Sequence, residues 1–308
     1  MRLISLVPTG TKIDFMRYRK MAARSSIAFT ILSVVFFLFL GLNYGIDFRG
    51  GIMMEIRTSG PADIGELRGR LSSLGLGEVQ LQAFGNETDV LIRIESQPGG
   101  EKGLQRAVGI VKDALGTGLD YRRTETVGPK VGGELIEAGI VAVLLALSAM
   151  LLYIWFRFEW QFGVGAVVAL THDVVLTIGI FALLGLEFNL STVAAILTIA
   201  GYSINDTVVV YDRVRENLRK YKTMDLDALL NLSINNTLSR TLLTSVTTLL
   251  ALFALFLFGG EVIKGFSFAM IWGVIVGTYS SIWIAVPLLV YMKLQRGGLI
   301  VGETEKTP

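Results

Sequence analysis

GYSINDTVVVYDRVRE, residues 201–216, follows an almost wholly apolar run (190–200) and carries an aspartate, Asp206, where the surroundings favour leucine. An ionised side chain at mid-bilayer costs about 2.5–3.5 kcal/mol on insertion scales. If this stretch crosses a membrane, Asp206 requires a partner, a water-filled cavity or a function. The sequence on either side decides whether it crosses.

The chain has 308 residues, of which 52% are hydrophobic, and 34 are glycine, too apolar for an ordinary soluble domain of this length. A hydrocarbon layer about 30 Å thick is crossed by roughly 20 mostly apolar residues in a helix. Six stretches meet that need: 26–44, 135–156, 162–186, 189–211, 241–258 and 266–292. The third and fourth are separated only by GLEF (185–188), which predicts a tight helical hairpin. The first reads as an uncleaved anchor, because its apolar core is too long for a signal peptide and no small-x-small pattern follows before Asp47. The expected fold is an α-helical polytopic membrane protein with six transmembrane helices.

A net charge of +2 gives no reason to expect a nucleic-acid surface or an acidic substrate. With no cysteine, disulfides, thiolate-held metals and thiol catalysis are excluded, and a single histidine, His172, excludes a histidine metal cluster. No metal, cofactor or enzymatic activity is expected. Placement of the basic residues predicts orientation: six Lys or Arg lie in 1–25, six in 212–240 and three in the C-terminal tail, and Arg157 marks the short loop after the second span. The two short loops on the other side carry only Lys264. By the positive-inside rule both termini face the cytoplasm.

Residues 45–133 read as a folded unit on the opposite side. GGIMMEIR is strand-like, Ile64, Leu67, Leu71 and Leu74 recur at helical spacing, and EVQLQAF and DVLIRIE alternate around the turn GNET (85–88). A helix from Glu101 to about Leu115 and the extended LDYRRTETV complete a β-α-β-β-α-β order, the ferredoxin-like α+β unit. The expected divisions are a cytoplasmic segment 1–25, a first span 26–44, a periplasmic domain 45–133, spans two to six within 134–293 with a cytoplasmic loop near 212–240, and a cytoplasmic tail 294–308.

Polar groups recur inside the spans. Tyr202, Ser203 and Asn205 accompany Asp206, and Thr237, Thr241, Thr244 and Thr248 share one face of the fifth span, beside a second stripe of Asn236, Arg240 and Thr247. Arg240 is either an anchor at the helix end or a cation for a neighbouring carboxylate. The threonines serve small-residue packing or a polar face turned to protein or water. His172 and Asp173, about ten residues into the third span, are either a structural pair or part of the same polar site. A carboxyl group that meets a cation in one conformation and loses it in another binds and releases a proton in turn. On this reading Asp206 is the proton carrier and Arg240 tunes it.

YGIDFRGG (44–51), VGPKVGGEL (127–135), THDV (171–174), GYSINDTVVVYDRVRE and INNTLSRTLLTS (234–245) together resemble the SecD/SecF family of protein-export membrane proteins, on its SecF side. The likeness runs along essentially the whole chain. It implies half of an RND-type transporter, working with SecD beside the SecY/SecE/SecG channel and YajC, using the proton gradient to help draw unfolded preproteins across the bacterial cytoplasmic (inner) membrane. It also implies that the aspartate and arginine falling on Asp206 and Arg240 take part in proton movement, and that IDFMRYRK (13–20) is an amphipathic cytoplasmic entry. Because RND transporters pair two six-span halves, SecD is expected to supply the wall opposite spans four and five.

Three other readings share features of the sequence. A small-molecule exporter of the RND class would need larger extramembrane domains than 45–133 to enclose a ligand. An intramembrane aspartyl protease would share the Tyr211-Asp212 pair but requires a GxGD partner, which is missing. A purely structural partner of SecD and the channel would keep the fold without moving protons.

Overall fold

The computed structural model describes residues 11–116, 118–292 and 294. The remainder of the expected N-terminal segment and of the C-terminal tail lies outside them. Six helices are long and apolar enough to cross a membrane. The first, α1 (Arg19–Leu40), follows a 3-10 turn at Met16–Tyr18. Most of its apolar side chains, Phe29, Leu38 and Phe39 among them, are exposed, so its environment must be lipid or another chain. It meets the bundle through small residues: Ser26 and Ser33 are buried, and a Cβ at Gly179 would collide with Ser33.

The first span ends at Leu40, short of the expected 44, because Asn43–Tyr44 form a two-residue strand, β1. This strand pairs in parallel with β6 (Glu187–Phe188), so the expected hairpin turn also serves as a sheet partner. A single helical turn, α2 (Ile46–Arg49), then leads through Gly50 (φ +71°) and Gly51 (φ +122°). Only glycine adopts these angles without strain, and a Cβ at Gly51 would strike the Ile94 carbonyl.

The extramembrane domain has the expected order: β2 (Gly51–Arg57), α3 (Ile64–Ser72), β3 (Val79–Phe84), β4 (Asn86–Ile94), α4 (Gly100–Leu115) and β5 (Asp120–Val127). The sheet runs β3-β4-β2-β5, all antiparallel, which is the ferredoxin-like arrangement. The β3–β4 turn is tighter than GNET suggests: Gly85 alone, at φ +82°, separates the strands. Ile52, Met54, Ile56, Val90 and Ile92 point to one face, where Leu71, Leu104 and Val111 of the two helices cover them. The other face, with Met53, Leu91 and Arg93, looks across a cleft of about 620 Å³ toward the bundle, reaching Leu186, Glu187 and Phe268.

The remaining spans are α5 (Pro129–Arg157), α6 (Trp160–Leu184), α7 (Leu190–Lys220), α8 (Leu226–Phe258) and a last span made of α9 (Glu261–Ser280), a π-helical turn (Ser281–Ala285) and α10 (Val286–Tyr291). Pro287 accounts locally for the break, since it has no N–H to offer the carbonyl four residues back and its ring crowds that turn. The expected loop 212–240 is instead helical except for 221–225. Both helices run past the spans because Val214, Leu218, Leu229, Leu230 and Ile234 bury a common core, with Asn217 donating to Ser233 at 2.9 Å. The N-terminal segment closes this end: Phe15 and Met16 are buried, the Met16 amide donates to Asn231 at 3.0 Å, and Arg19 pairs with Asp227.

Candidate functional site

Close packing of α7 on α9 builds the site. Gly273 lies against Ile199 and Gly277 against Ser203, where an added Cβ would come within 3.1 Å of the serine Cβ. Small residues at these positions let the two backbones approach. The last turn of α9 and the start of the π-turn are thereby held beside α7 and α6. There the sequence is Thr278-Tyr279-Ser280-Ser281, four consecutive hydroxyls in a mainly apolar span.

Each hydroxyl reaches a different helix. Ser281 donates to Asp206 Oδ2 at 2.6 Å, and Thr241 of α8 donates to Asp206 Oδ1 at 2.7 Å. Ser280 donates to Asp173 Oδ2 at 2.7 Å, and Ser203 donates to the same oxygen at 2.6 Å. Tyr279 meets Ser26 of α1 at 3.0 Å, and Thr278 meets Ser245 of α8 at 2.7 Å. Asp206 is 8% exposed and Asp173 fully buried, so both carboxylates exchange water for hydroxyl donors.

The expected residues fall into two groups. Asp206, Ser203, His172 and Asp173 come together inside the bundle, with His172 Nδ1 3.0 Å from Asp173 Oδ1. Tyr202 is beside them, donating to Ser245 at 3.3 Å. Asn205, Arg240, Thr244 and Thr247 lie exposed on the outer face of α7 and α8. Thr244 and Thr247 satisfy their hydroxyls on carbonyls of their own helix. Arg240 forms no salt bridge among the described residues, and its neighbour Thr241 makes the hydrogen bond to Asp206. The threonine stripe thus divides, with Thr237 and Thr241 buried and Thr244 facing out.

Sequence reasoning left Ser280, Ser281, Ser245 and Thr278 out of the site. The run TYSS was visible as a signal, but which carboxylate each hydroxyl would meet depended on packing. Among the described residues no cluster of His, Asp and Glu suits a metal ion.

Fold and site together define a multi-pass membrane protein of the transporter type, with paired carboxylates clamped inside a six-helix unit. Residues 110–295 match the family described as protein export membrane protein SecD/SecF, C-terminal, and residues 35–62 match the SecD/SecF GG motif, which contains Gly50 and Gly51. The chain is 49% identical over 293 residues to the protein translocase subunit SecF of Rickettsia rickettsii (strain Sheila Smith), covering 93% of this chain and 94% of that protein. It is 47% identical over 290 residues to the same subunit of Rickettsia prowazekii (strain Madrid E), covering 93% of each. Among solved structures, SecDF from Thermus thermophilus, a translocon-associated membrane protein, superposes with a TM-score of 0.84 at 36% identity over 94% of this chain. SecDF in its super-membrane-facing form gives 0.70 over 95%. The chain spans 40% of the length of either SecDF chain. It belongs to the SecD/SecF family.

Proposed function

We propose that this chain is the SecF-type accessory subunit of a bacterial Sec translocon, acting with SecD to couple the proton-motive force to movement and release of unfolded preprotein. Asp206 carries the proton, and Arg240 tunes it by approaching and withdrawing. Both termini face the cytoplasm, and the α/β domain faces the periplasm. SecY, SecE, SecG and YajC are the further partners.

The observation that carries this reading is the location of Asp206. It is buried between α7, α8 and the π-turn, one helix surface away from an exposed polar face of Asn205, Arg240, Thr244 and Thr247. A polar face at membrane depth is costly against lipid and suits a second helical half that brings further polar groups. Proteoliposomes holding this chain with SecD and the channel provide the test. Asp206→Asn keeps the shape and removes the titration, so proton flux coupled to preprotein movement is expected to fall to background. Undiminished flux would sink the relay.

One observation favours the second reading, a structural subunit that steadies SecD and the channel. Asp206 already receives two hydroxyl donors within its own chain, as a purely cohesive interhelical contact would. In that case Asp206→Asn weakens assembly with SecD and leaves proton flux unchanged.

A further inference from the structure

Ser280 and Ser281 are adjacent, yet they bond to different carboxylates on different helices, at the point where α9 gives way to the π-turn. Each hydroxyl has a single hydrogen and two acceptors in reach. For Ser281 these are Asp206 Oδ2 at 2.6 Å and the Thr278 carbonyl at 3.1 Å. For Ser280 they are Asp173 Oδ2 at 2.7 Å and the Gly277 carbonyl at 3.2 Å.

We propose that Ser281 is a hydroxyl switch that passes the protonation state of Asp206 to the last membrane helix, and that Asp173 is the positioning residue that holds the switch in register. The proposal rests on the reading of Asp206 as a proton carrier. While Asp206 is ionised, its oxygens only accept, and Ser281 donates to it. Once Oδ2 is protonated it becomes a donor toward Ser281 Oγ. The serine hydrogen then turns to its other acceptor, the Thr278 carbonyl. No bond within the serine is broken, and one proton has been taken up by Asp206.

That carbonyl belongs to the final turn of α9, one helical turn before the widened π-turn, and the Thr278 side chain is bound to Ser245 of α8. Single π-turns within helices recur at functional sites. The change at Asp206 therefore reaches the helix immediately before its π-turn and, through Thr278, touches α8 as well.

Asp173 supplies the fixed reference. Its Oδ2 accepts from Ser203 on α7, three residues before Asp206, and from Ser280 on α9, next to Ser281. Its Oδ1 faces His172. One carboxylate thus sets the spacing of the two helices that carry the switch. The titratable and charged groups around the switch are Arg240 from α8 and the His172–Asp173 pair from α6, while residues 278–281 contribute hydroxyls alone.

Infrared difference spectroscopy of the full chain with SecD in proteoliposomes tests this. The carboxyl C=O band of protonated Asp206 is identified by its absence in Asp206→Asn. In Ser281→Ala the band is expected to change frequency and its titration midpoint to move by about one pH unit, the size of one hydrogen bond to a charged group. Ser281→Thr, which keeps the hydroxyl, restores both. Asp173→Asn moves the midpoint although Asp206 itself is intact. Should Ser281→Ala fail to assemble, Ser281→Cys, a weaker donor, carries the same expectation. A band that titrates as in the wild type in Ser281→Ala or Ser281→Cys and in Asp173→Asn overturns the switch and leaves the relay standing. Absence of any titrating Asp206 band overturns the relay first and the switch with it.

Discussion

Asp89, on β4, receives Arg57 Nε at 2.5 Å and Nη2 at 2.6 Å, a two-pronged match of planar groups across the β2–β4 ladder. The Arg57 guanidinium, first through its hydrogen bonds, holds the Asp89 carboxyl down at about 2. A carboxyl depressed by folding stabilises the fold above its unfolded value, near 4, and that contribution fades as pH falls toward about 2. Thermal unfolding of the α/β domain within the full chain is therefore expected to weaken through this acid window. In Asp89→Asn the steepness of that loss is reduced. An unaltered acid profile in the variant would show that the pair contributes no stability. Asp206 is an aspartate too, but its hydrogen bonds come from two hydroxyls, those of Thr241 and Ser281, and not from a guanidinium.

At the scale of elements, α7 is the helix on which the site depends, and its start is tied at several points. Asn189 accepts the Thr192 amide at 3.1 Å within a capping box, and Asp47 accepts the Leu190 amide at 2.9 Å. Four amides at a helix start lack partners inside the helix, and these side chains supply two of them. Asn189→Ala is expected to cost about 1 kcal/mol, measured as a lowered unfolding midpoint in detergent. Because Asp47 follows β1, the same cap also joins the helix start to the strand that leads into the α/β domain. Asp47→Ala should add a nearly equal loss, and an unchanged midpoint in both variants would place the helix start under other control.

Across the whole molecule, the α/β domain sits on the bundle through the β1–β6 ladder and the Arg93–Glu187 ion pair. Glu187 lies between the third and fourth spans. Burial raises its carboxyl above the usual range; Arg93 opposes that rise, and Asp47 and Glu125 add to it. A group that binds its proton more tightly when docked than when free favours the docked form at low pH. That advantage is lost as pH rises through the elevated value. Spin labels on the domain and the bundle should report a docked fraction that grows on acidification, and Glu187→Gln should flatten the response. A docked fraction that falls on acidification would mean that the Arg93 pairing outweighs desolvation.

Much of this was legible from residues alone, and for definite reasons. Six apolar runs and the alternation in 51–127 report directly on burial, because a 20-residue helix must match a bilayer and a strand must show two faces. Asp206 stood out because its chemistry contradicts its neighbours. The loop expected at 212–240 is helical because Val210, Val214 and Leu218 recur at four-residue spacing within a charged run, a pattern masked by the five basic residues around it. Arg240 was expected either to anchor the helix end or to tune Asp206; its side chain is exposed here, and the hydrogen bond to the carboxylate comes from Thr241, which the sequence reading placed only on the threonine stripe.

By itself the sequence determined the number of spans, the α/β order and the presence of carboxyl and hydroxyl groups within the membrane, since each follows from local period and composition. Only the tertiary structure decided that Ser280 meets Asp173, that Ser281 meets Asp206 and that β1 meets β6. Those pairings join residues 75 to 144 positions apart, and the serine contacts follow from the close approach of α9 to α7 at Gly273 and Gly277, a quantity that no local pattern carries.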